Sequence, residues 1–420
     1  MKKLLAILLI ATLCMSTIVG CGKKKEEDKD TTSNLESENT SGDKKEEAKE
    51  PTHIKIWYET QEAIAEELQK ELDKLAPEIV VSVERKEKLT ETLKLVGNDP
   101  SSAPDMYFFA HDKIGIFAEM GILSPITNFI PESTFDDFIP MTVSAATYKD
   151  QIYQLPIYFE SLLFMYNKAL MKEAPRTTDD LLAYMEANTK DGNYGFVEQH
   201  STAYFTVGWI HAYDGFVIND KAEPGLDLKE TKDAIKYHKQ FVKYMPIDGD
   251  YNTMTTLFKE GKAHSTIGGP WLIPDLVENG IDIGIAPMPV VNETLKAISP
   301  FAGIQGICVL KGAESKKEAV AKVLEQLSKP DIGINLAKAI GSAPVNNNCY
   351  EDDAVKSNEI VMTLKKASAT AVPMPNVPEM DVMWAITENL LSSVNKGDAD
   401  PVTASDEAQK KALEQIEAMK

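Results

Sequence analysis

Stretches that favour strands alternate with stretches that favour helices at the start of the globular part of this chain, and the alternation restricts its fold. Residues 53–59, 79–83 and 106–109 are rich in β-branched and aromatic side chains and predict strands. Apolar residues recur at helical spacing over 62–75, and residues 88–96 have the same character. The order strand, helix, strand, helix, strand predicts a parallel sheet flanked by helices.

The ends of these strands point to a binding site. In an open parallel sheet, ligands bind beyond the carboxyl ends of the strands. The residues that follow the predicted strands are 58–59, 86–87 and 110–113, and they include acids, lysines and aromatic side chains. We therefore take them as the first candidates for a site.

The length, the charge and the absence of certain motifs narrow the range of possible functions. A chain of 420 residues is too long for one core, since cores stop growing near ~250–300 residues, so we expect two lobes. The net charge of −21 would repel a phosphate backbone, which argues against nucleic acid as a partner. The sequence has no phosphate-binding glycine loop, no HExxH and no CxxC, so we expect no cofactor and no metal.

The first residues predict secretion and lipid anchoring. Lys2 and Lys3 precede an apolar stretch, 4–19, and the pattern is typical of a signal peptide covering residues 1–20. A small residue before Cys21 resembles the lipobox of bacterial lipoproteins, which makes Cys21 the lipidated first residue of the mature chain. An uncleaved transmembrane anchor is the alternative, because the apolar stretch nearly reaches spanning length.

Residues 21–50 are predicted to be the lipidated cysteine and a disordered tether. Leu35 is the only large apolar residue in 22–50, so this segment cannot offset the entropy lost on ordering. As a flexible coil it reaches roughly 30 Å from the membrane.

Two cysteines remain in the globular part. Cys308 lies in the apolar run GICVL and predicts a small core residue, whereas Cys349 follows three asparagines in a predicted loop. A disulfide between them is compatible with an extracellular protein, and the sequence leaves that question open.

Several segments together resemble the maltose/maltodextrin-binding proteins of bacterial ABC importers. They include PDMYFFAHDK, an apolar PIYFE…YNK run, AYFT, GGPW and MPNVPEMDVMW, which occur in this order. They lie in residues 104–126, 155–171, 203–206, 257–276 and 373–384. The resemblance extends over nearly the whole globular part.

The resemblance implies a two-lobed, periplasmic-binding-protein-like α/β fold. Each lobe is expected to be a mainly parallel sheet flanked by helices, and several strands form the hinge. The chain is expected to cross between lobes near 158–161, 301–304 and 330. The expected lobes are residues 51–158 with 304–330 (lobe I) and 159–303 with 331–420 (lobe II).

The resemblance also implies which residues contact a sugar. Sugars present apolar ring faces and a hydroxyl rim, so a site needs aromatic platforms and polar groups. Glu160 stands out from the residues themselves, because an acid between LPIYF and SLLFM needs a partner. The positions that match the family pattern are Phe109, Asp112, Lys113, Glu160, Tyr204, Trp271 and Trp384, with Gln61 and Glu91 beside them.

The chain departs from the family pattern at several of these positions. Lys113 replaces the usual arginine and loses its bidentate fork, and Phe109 replaces a tryptophan. Thr202 stands where the family often has an acid, and Gln61 where it has part of an Asp-Lys pair. The site therefore has fewer polar anchors, and our hypothesis is a preference for longer α-glucan oligosaccharides, or for a different disaccharide, over maltose.

The implied role is that of a monomeric lipoprotein that is lipid-anchored to the cell membrane and faces the extracellular side or the periplasm. It would bind a maltooligosaccharide and deliver it to the permease subunits of an ABC transporter, and it would not be an enzyme. Three alternatives stay open: the same role for a different oligosaccharide or solute, a hydrolase using two carboxylates, and a sensor or adhesin that never delivers cargo.

Overall fold

The computed structural model describes residues 50–397 and 399–419. The expectations for the signal peptide, for Cys21 and for all of the tether except Glu50 lie outside these residues. Within the described part of the chain, no helix is long and apolar enough to cross a membrane.

The strands fall into two principal sheets and two short hairpins. The described strands are β1 (Thr52–Tyr58), β2 (Ile79–Arg85), β3 (Met106–Ala110), β4 (Leu123–Ser124), β5 (Thr147–Tyr148), β6 (Gln151–Ile152), β7 (Gln154–Ser161), β8 (Leu163–Asn167), β9 (Ser265–Gly268), β10 (Ile283–Ala286), β11 (Val290–Val291), β12 (Lys296–Ala297), β13 (Phe301–Leu310), β14 (Ala343–Pro344) and β15 (Val372–Pro373).

Helices cover the sheets and alternate with short strands in the second half of the chain. The described helices are α1 (Glu62–Leu72), α2 (Leu89–Val96), α3 (Ile114–Glu119), α4 (Pro140–Ala145), α5 (Thr178–Asn188), α6 (Ala203–His211), α7 (Lys229–Val242), α8 (Tyr251–Lys259), α9 (Ile273–Glu278), α10 (Lys317–Leu327), α11 (Pro330–Ile340), α12 (Asp353–Lys356), α13 (Glu359–Ala367), α14 (Met380–Asn395) and α15 (Pro401–Ala418).

The first sheet contains the alternating segment predicted from the sequence. Its strands lie in the order β14-β7-β13-β3-β1-β2, with β4 and β15 paired to β13. The three predicted strands are β1, β2 and β3, β1 is parallel to both of the others, and α1 and α2 join them in chain order. This part of the prediction is confirmed. β7 and β13 come later in the chain. They run antiparallel to each other, and β13 is also antiparallel to β3 but parallel to the short β15.

The second sheet is smaller, and its pairing differs from the expectation. It has the order β10-β8-β9, and β8 is antiparallel to both neighbours. A single residue separates the end of β7 from the start of β8. Because β8 lies between β9 and β10, those two outer strands are parallel to each other but share no hydrogen bonds. The expectation of a mainly parallel sheet in each lobe is therefore wrong for this sheet. In the first sheet, parallel pairing is confined to β1–β3 and the short β13–β15 pair.

The chain passes between the two sheets along neighbouring strands. β7 pairs with β13 from Ser161 to Gln154, and β15 pairs with the start of β13 at Phe301 and Ala302. Crossings were expected near 158–161 and 301–304, where β7 and β13 run side by side.

The expectation that the chain crosses between lobes near residue 330 is wrong. Residues 328–329 connect α10 to α11, and both helices pack on α1 beside the first sheet. The third segment beside the crossing strands is β15 instead. α11 was expected in lobe II, yet its contacts with α1 and β7 are contacts with elements expected in lobe I. The remaining lobe boundaries stay a prediction.

Both cysteines of the globular part are buried and free. Cys308 lies in β13, whose apolar run is buried almost throughout, so its predicted role as a small core residue is confirmed. Cys349 packs in a short 3-10 turn, where its Sγ lies 3.3 Å from the carbonyl oxygen of Pro330. The structure therefore has no disulfide between these two positions.

Candidate functional site

A cavity of about 800 Å³ opens beyond the carboxyl ends of β1, β2 and β3, between the first sheet and the helices on the second sheet's side. Each of these strands contributes lining residues at or just after its end, as the position rule for parallel strands predicts. The far wall comes from α6, α14 and the turn after β9, and β7 and β13 form the floor. The lining residues are Glu59, Thr60, Gln61, Arg85, Phe109, Ala110, Asp112, Lys113, Glu160, Tyr204, Trp271, Gly303, Gln305, Met374 and Trp384.

Eight of the nine predicted site residues lie in this lining. Glu91 does not, because it is exposed in the first turn of α2. That helix buries Leu89 and Leu93, which are four residues apart and share one face, and position 91 lies on the opposite face.

The aromatic walls come from three separate elements. Tyr204 of α6 and Trp271 after β9 have ring centroids 6.4 Å apart and are tilted by 42°. Trp384 of α14 packs edge-on against Phe301, with centroids 5.8 Å apart. The rings of Tyr204, Trp271 and Trp384 are half-buried, so each is held by packing while part of its surface faces the cavity. Such surfaces suit the apolar face of a sugar ring.

Glu160 lies on the cavity floor, near the end of β7. Burial raises the pKa of its carboxyl group to about 7, and the hydrogen bond that Gln305 donates to Oε1, at 3.1 Å, opposes this rise only in part. Its neighbour across the ladder is Gly303. A side chain at position 303 would fill the space between Glu160 and the Tyr204 hydroxyl, so this glycine keeps the floor open.

A chain of four alternating charges borders the cavity. Lys113 Nζ lies 3.1 Å from Asp112 Oδ2 and 3.1 Å from Asp381 Oδ1, and Lys94 Nζ lies 2.6 Å from Asp381 Oδ2. Burial would raise the pKa of Asp381, but the two ammonium groups outweigh it and lower that pKa. The Lys113 ammonium is thus bound to two carboxylates, which leaves less of it free to donate to a ligand than the sequence implied.

His111 fixes the segment between β3 and α3. Its Nε2 donates to the carbonyl oxygen of Met374 at 2.8 Å, and its Nδ1 accepts from the backbone N–H of Ile304 at 3.1 Å. These bonds require a neutral ring, and burial lowers the pKa of His111 despite the opposing effect of Asp112. His111 therefore holds the backbone around Asp112 and is a packing residue.

Some residues of the cavity lining, and Asp381 of the ion network beside it, were not predicted from the sequence. Arg85 is the last residue of β2, two residues beyond the predicted end of that strand and directly before the selected residues 86–87. Gln305 is 145 residues from its partner Glu160, and Asp381 is 268 from Lys113. No local pattern connects residues at such separations.

A two-lobed α/β chain with an aromatic and acidic cavity between its sheets is a solute-binding protein by architecture. The family model described as bacterial extracellular solute-binding protein matches residues 63–363. The chain belongs to this family.

The relatives share most of their length with this chain. The maltotriose-binding protein of Pyrococcus abyssi is 32% identical over 364 residues, which cover 84% of this chain and 79% of the relative. The maltooligosaccharide ABC transporter solute-binding lipoprotein of Streptococcus pneumoniae is 26% identical, and the match covers 96% of this chain and 95% of that protein. The maltose/maltodextrin-binding domain MalE of Bdellovibrio bacteriovorus, solved with maltotriose bound, is 26% identical with a TM-score of 0.78 and covers 87% of this chain and all of that one.

Proposed function

We propose that this protein binds α-1,4-linked glucan oligosaccharides in the cavity and delivers them to an ABC transporter. The observation that carries the proposal is the pairing of aromatic walls from one side with carboxylates from the other. The volume of about 800 Å³ lies within the range of roughly 300–1,000 Å³ typical of small-molecule sites. The related maltotriose-binding and maltodextrin-binding proteins support this choice of ligand.

The lining groups match the two surfaces of a glucose chain. Tyr204, Trp271 and Trp384 offer faces for the rings, and Asp112 and Glu160 accept hydrogen bonds from hydroxyl groups. A carboxylate hydrogen bond contributes about 1.5–3 kcal/mol net, so a few such bonds with stacking reach the ~8 kcal/mol of a micromolar complex.

Calorimetry with a sugar panel tests the ligand. The panel runs from maltose to maltoheptaose and includes cyclodextrin, sucrose, lactose, cellobiose and xylobiose. We expect micromolar binding of the maltooligosaccharides, with maltotriose tighter than maltose because fewer polar groups anchor the first sugar. If another sugar binds and no α-glucan does, the proposal that α-glucans are the ligand is refuted, whereas the proposed transport role is not.

The carboxylates bind rather than catalyse in this proposal. A hydrolase would also place two carboxylates in a sugar cavity, but glycosidases need a proton donor and a nucleophile or water at the same bond. Here the carboxylate of Asp112 is tied to Lys113. Labelled maltoheptaose incubated with the protein is expected to stay intact, and shorter products on chromatography would favour the hydrolase.

The anchor completes the proposed role. A signal peptide over residues 1–20 and a lipid on Cys21 would hold the globular part near the transporter through the 21–50 tether. The related Streptococcus pneumoniae lipoprotein supports this arrangement. Cys21→Ala should move the protein from the membrane fraction into the medium, whereas Cys14→Ala, which changes a cysteine inside the apolar stretch, should not. Membrane retention of both variants would favour a spanning anchor.

A further inference from the structure

We infer that Asp381 is a positioning residue that ties α14, the helix carrying Trp384, to the opposite wall of the cavity through Lys94 and Lys113. The inference rests on the proposed function, because it assigns a role in the closed arrangement of the same cavity. Asp381 itself does not line the cavity.

The two ends of this ion network belong to different hydrophobic clusters. Lys94 lies on α2, whose Leu89 and Leu93 pack with Trp57 beside the first sheet. Asp381 lies in the first turn of α14, which packs on α6, α7 and α15. The pairs therefore connect residues of two hydrophobic clusters across 287 residues of sequence, in addition to the packing of Ala110 of β3 in the cluster around α14.

Asp381 is well placed to control Trp384. The two residues are three apart on one helix, so they project from neighbouring points of the same face. A second anchor precedes them, because the Asn376 side chain donates to the carbonyl oxygens of Ala145 at 2.9 Å and Thr147 at 2.8 Å. Asn376 fixes the approach to the helix, and Asp381 fixes its first turn.

The burial of the network decides how strongly it acts. Exposure falls along the chain of charges, from 30% for the Lys94 side chain and 26% for Asp381 to 13% for Lys113 and 8% for Asp112. Exposed ion pairs contribute little, whereas a pair partly withdrawn from water is screened less by salt. The network is thus strong enough to bias the wall and open enough at Lys94 to respond to ionic strength.

The ion network should make the affinity for an uncharged sugar depend on the salt concentration. Maltooligosaccharides carry no charge, so their direct contacts should be nearly independent of salt. The screening length falls from ~10 Å at 0.1 M salt to ~3 Å at 1 M. Weakening the network should loosen α14 and move Trp384 away from the ring that it stacks on, so sugar affinity should fall as salt rises.

The experiment compares the wild type, Asp381→Asn, Lys94→Gln and the double variant in the full chain, purified in detergent micelles. Maltotriose affinity is measured by calorimetry from 0.05 to 1 M NaCl. We expect Asp381→Asn to bind roughly 5- to 20-fold more weakly at low salt and to lose the salt dependence of the wild type. The double variant should be no weaker than Asp381→Asn alone.

The control is Lys322→Gln, which removes an exposed ion pair with Glu78 on the first sheet's side. It should keep both the affinity and the salt dependence of the wild type. An Asp381→Asn protein that binds as the wild type does, or a wild type whose affinity is constant with salt, would overturn the inference.

Hydrogen exchange of the ligand-free protein separates this inference from the proposed ligand. Peptides from the first two turns of α14 should exchange faster in 1 M NaCl than in 0.05 M NaCl, and in Asp381→Asn they should be fast at both. Peptides from α15 serve as the internal reference. This measurement tests the role of Asp381 even if no sugar of the panel binds. Exchange of the α14 peptides that is independent of salt in the wild type would reject that role.

Discussion

The carboxyl group of Glu160 has a pKa close to neutrality because of where its strand places it. Burial raises the pKa to about 7 from an ordinary value of 4.5, and only the Gln305 hydrogen bond works against burial. Between these two values the folded protein keeps a proton that the unfolded chain has released. The free energy of unfolding therefore falls as the pH rises through this window.

Glu160→Gln should remove this pH dependence. We expect the free energy of unfolding of the variant, relative to the wild type, to rise by about 1–3 kcal/mol between pH 5 and pH 8. Urea titrations at several pH values measure it. Gln305→Ala, which removes the opposing hydrogen bond, should extend the window to higher pH. Parallel pH profiles for the wild type and Glu160→Gln would contradict the assignment.

Trp271 and Trp57 separate a binding role from a packing role. Trp271 lines the cavity, whereas Trp57 is buried in β1 with the ammonium group of Lys86 over its ring at 4.7 Å. Trp271→Leu removes the flat face and should weaken maltotriose binding by roughly 10- to 100-fold with little loss of stability. Trp57→Leu should lower the melting temperature and leave the affinity near that of the wild type. If Trp271→Leu instead lowered the melting temperature and left the affinity unchanged, Trp271 would be a packing residue and not a surface on which the sugar stacks.

The sequence identified the residues whose types are unusual for their surroundings or that belong to a contiguous motif. Glu160 is an acid in an apolar run, and Phe109, Asp112 and Lys113 belong to one contiguous segment at the end of β3 and just after it. Glu91 lies outside the lining, and the resemblance that selected it does not reveal which face of a short helix turns toward the cavity. Asp381 was missed because its partners are distant in sequence and its own surroundings read as an ordinary first helical turn.

At the scale of elements, periodicity predicted helices better than their caps. The apolar periodicity of the last residues predicts an amphipathic helix from about residue 402, and the spacing of Thr403 and Asp406 is that of a possible capping box. In the structure the helix begins at Pro401, and Asp400 caps it by accepting from the backbone N–H of Thr403 at 3.0 Å. Asp406 pairs with Lys232 of α7 instead. A proline at the first helical position makes the preceding acid the cap.

Substitutions at the start of α15 distinguish the two caps. Asp400→Ala should lower the free energy of unfolding by about 1 kcal/mol, since it leaves the first N–H groups of the helix without their acceptor. Thr403→Ala should cost much less, because the exposed Thr403 only donates to Asp400. Urea denaturation of the two variants measures both values. A larger loss of unfolding free energy for Thr403→Ala than for Asp400→Ala would support the capping box predicted from the sequence.

The pairing of strands was predictable only where the chain is locally regular. β1, β2 and β3 are joined by helices in sequence order, which dictates parallel neighbours. β13 pairs with both β3 and β7, and β8 separates β9 from β10. These pairings come from the later course of the chain across both sheets, and hydrophobic periodicity carries no information about them.

At the scale of the whole molecule, the division of the site between two walls implies closure. The carboxylates lie on the side of β3 and β7, and the aromatic rings of Tyr204, Trp271 and Trp384 lie on the side of the second sheet and its helices. A sugar gains its full binding energy only when both sides contact it, so it stabilises the arrangement in which the walls are close. The neighbouring strands β7, β13 and β15 are where such a hinge would bend.

Small-angle X-ray scattering measures this closure. Saturating maltotriose should lower the radius of gyration of the wild type, and sucrose at the same concentration should not. Trp271→Leu should show the same final value at a higher maltotriose concentration, because it loses affinity without losing the hinge. If calorimetry shows saturation while the scattering curve is unchanged, the cavity binds its sugar without closing, and the hinge assigned to β7, β13 and β15 is wrong.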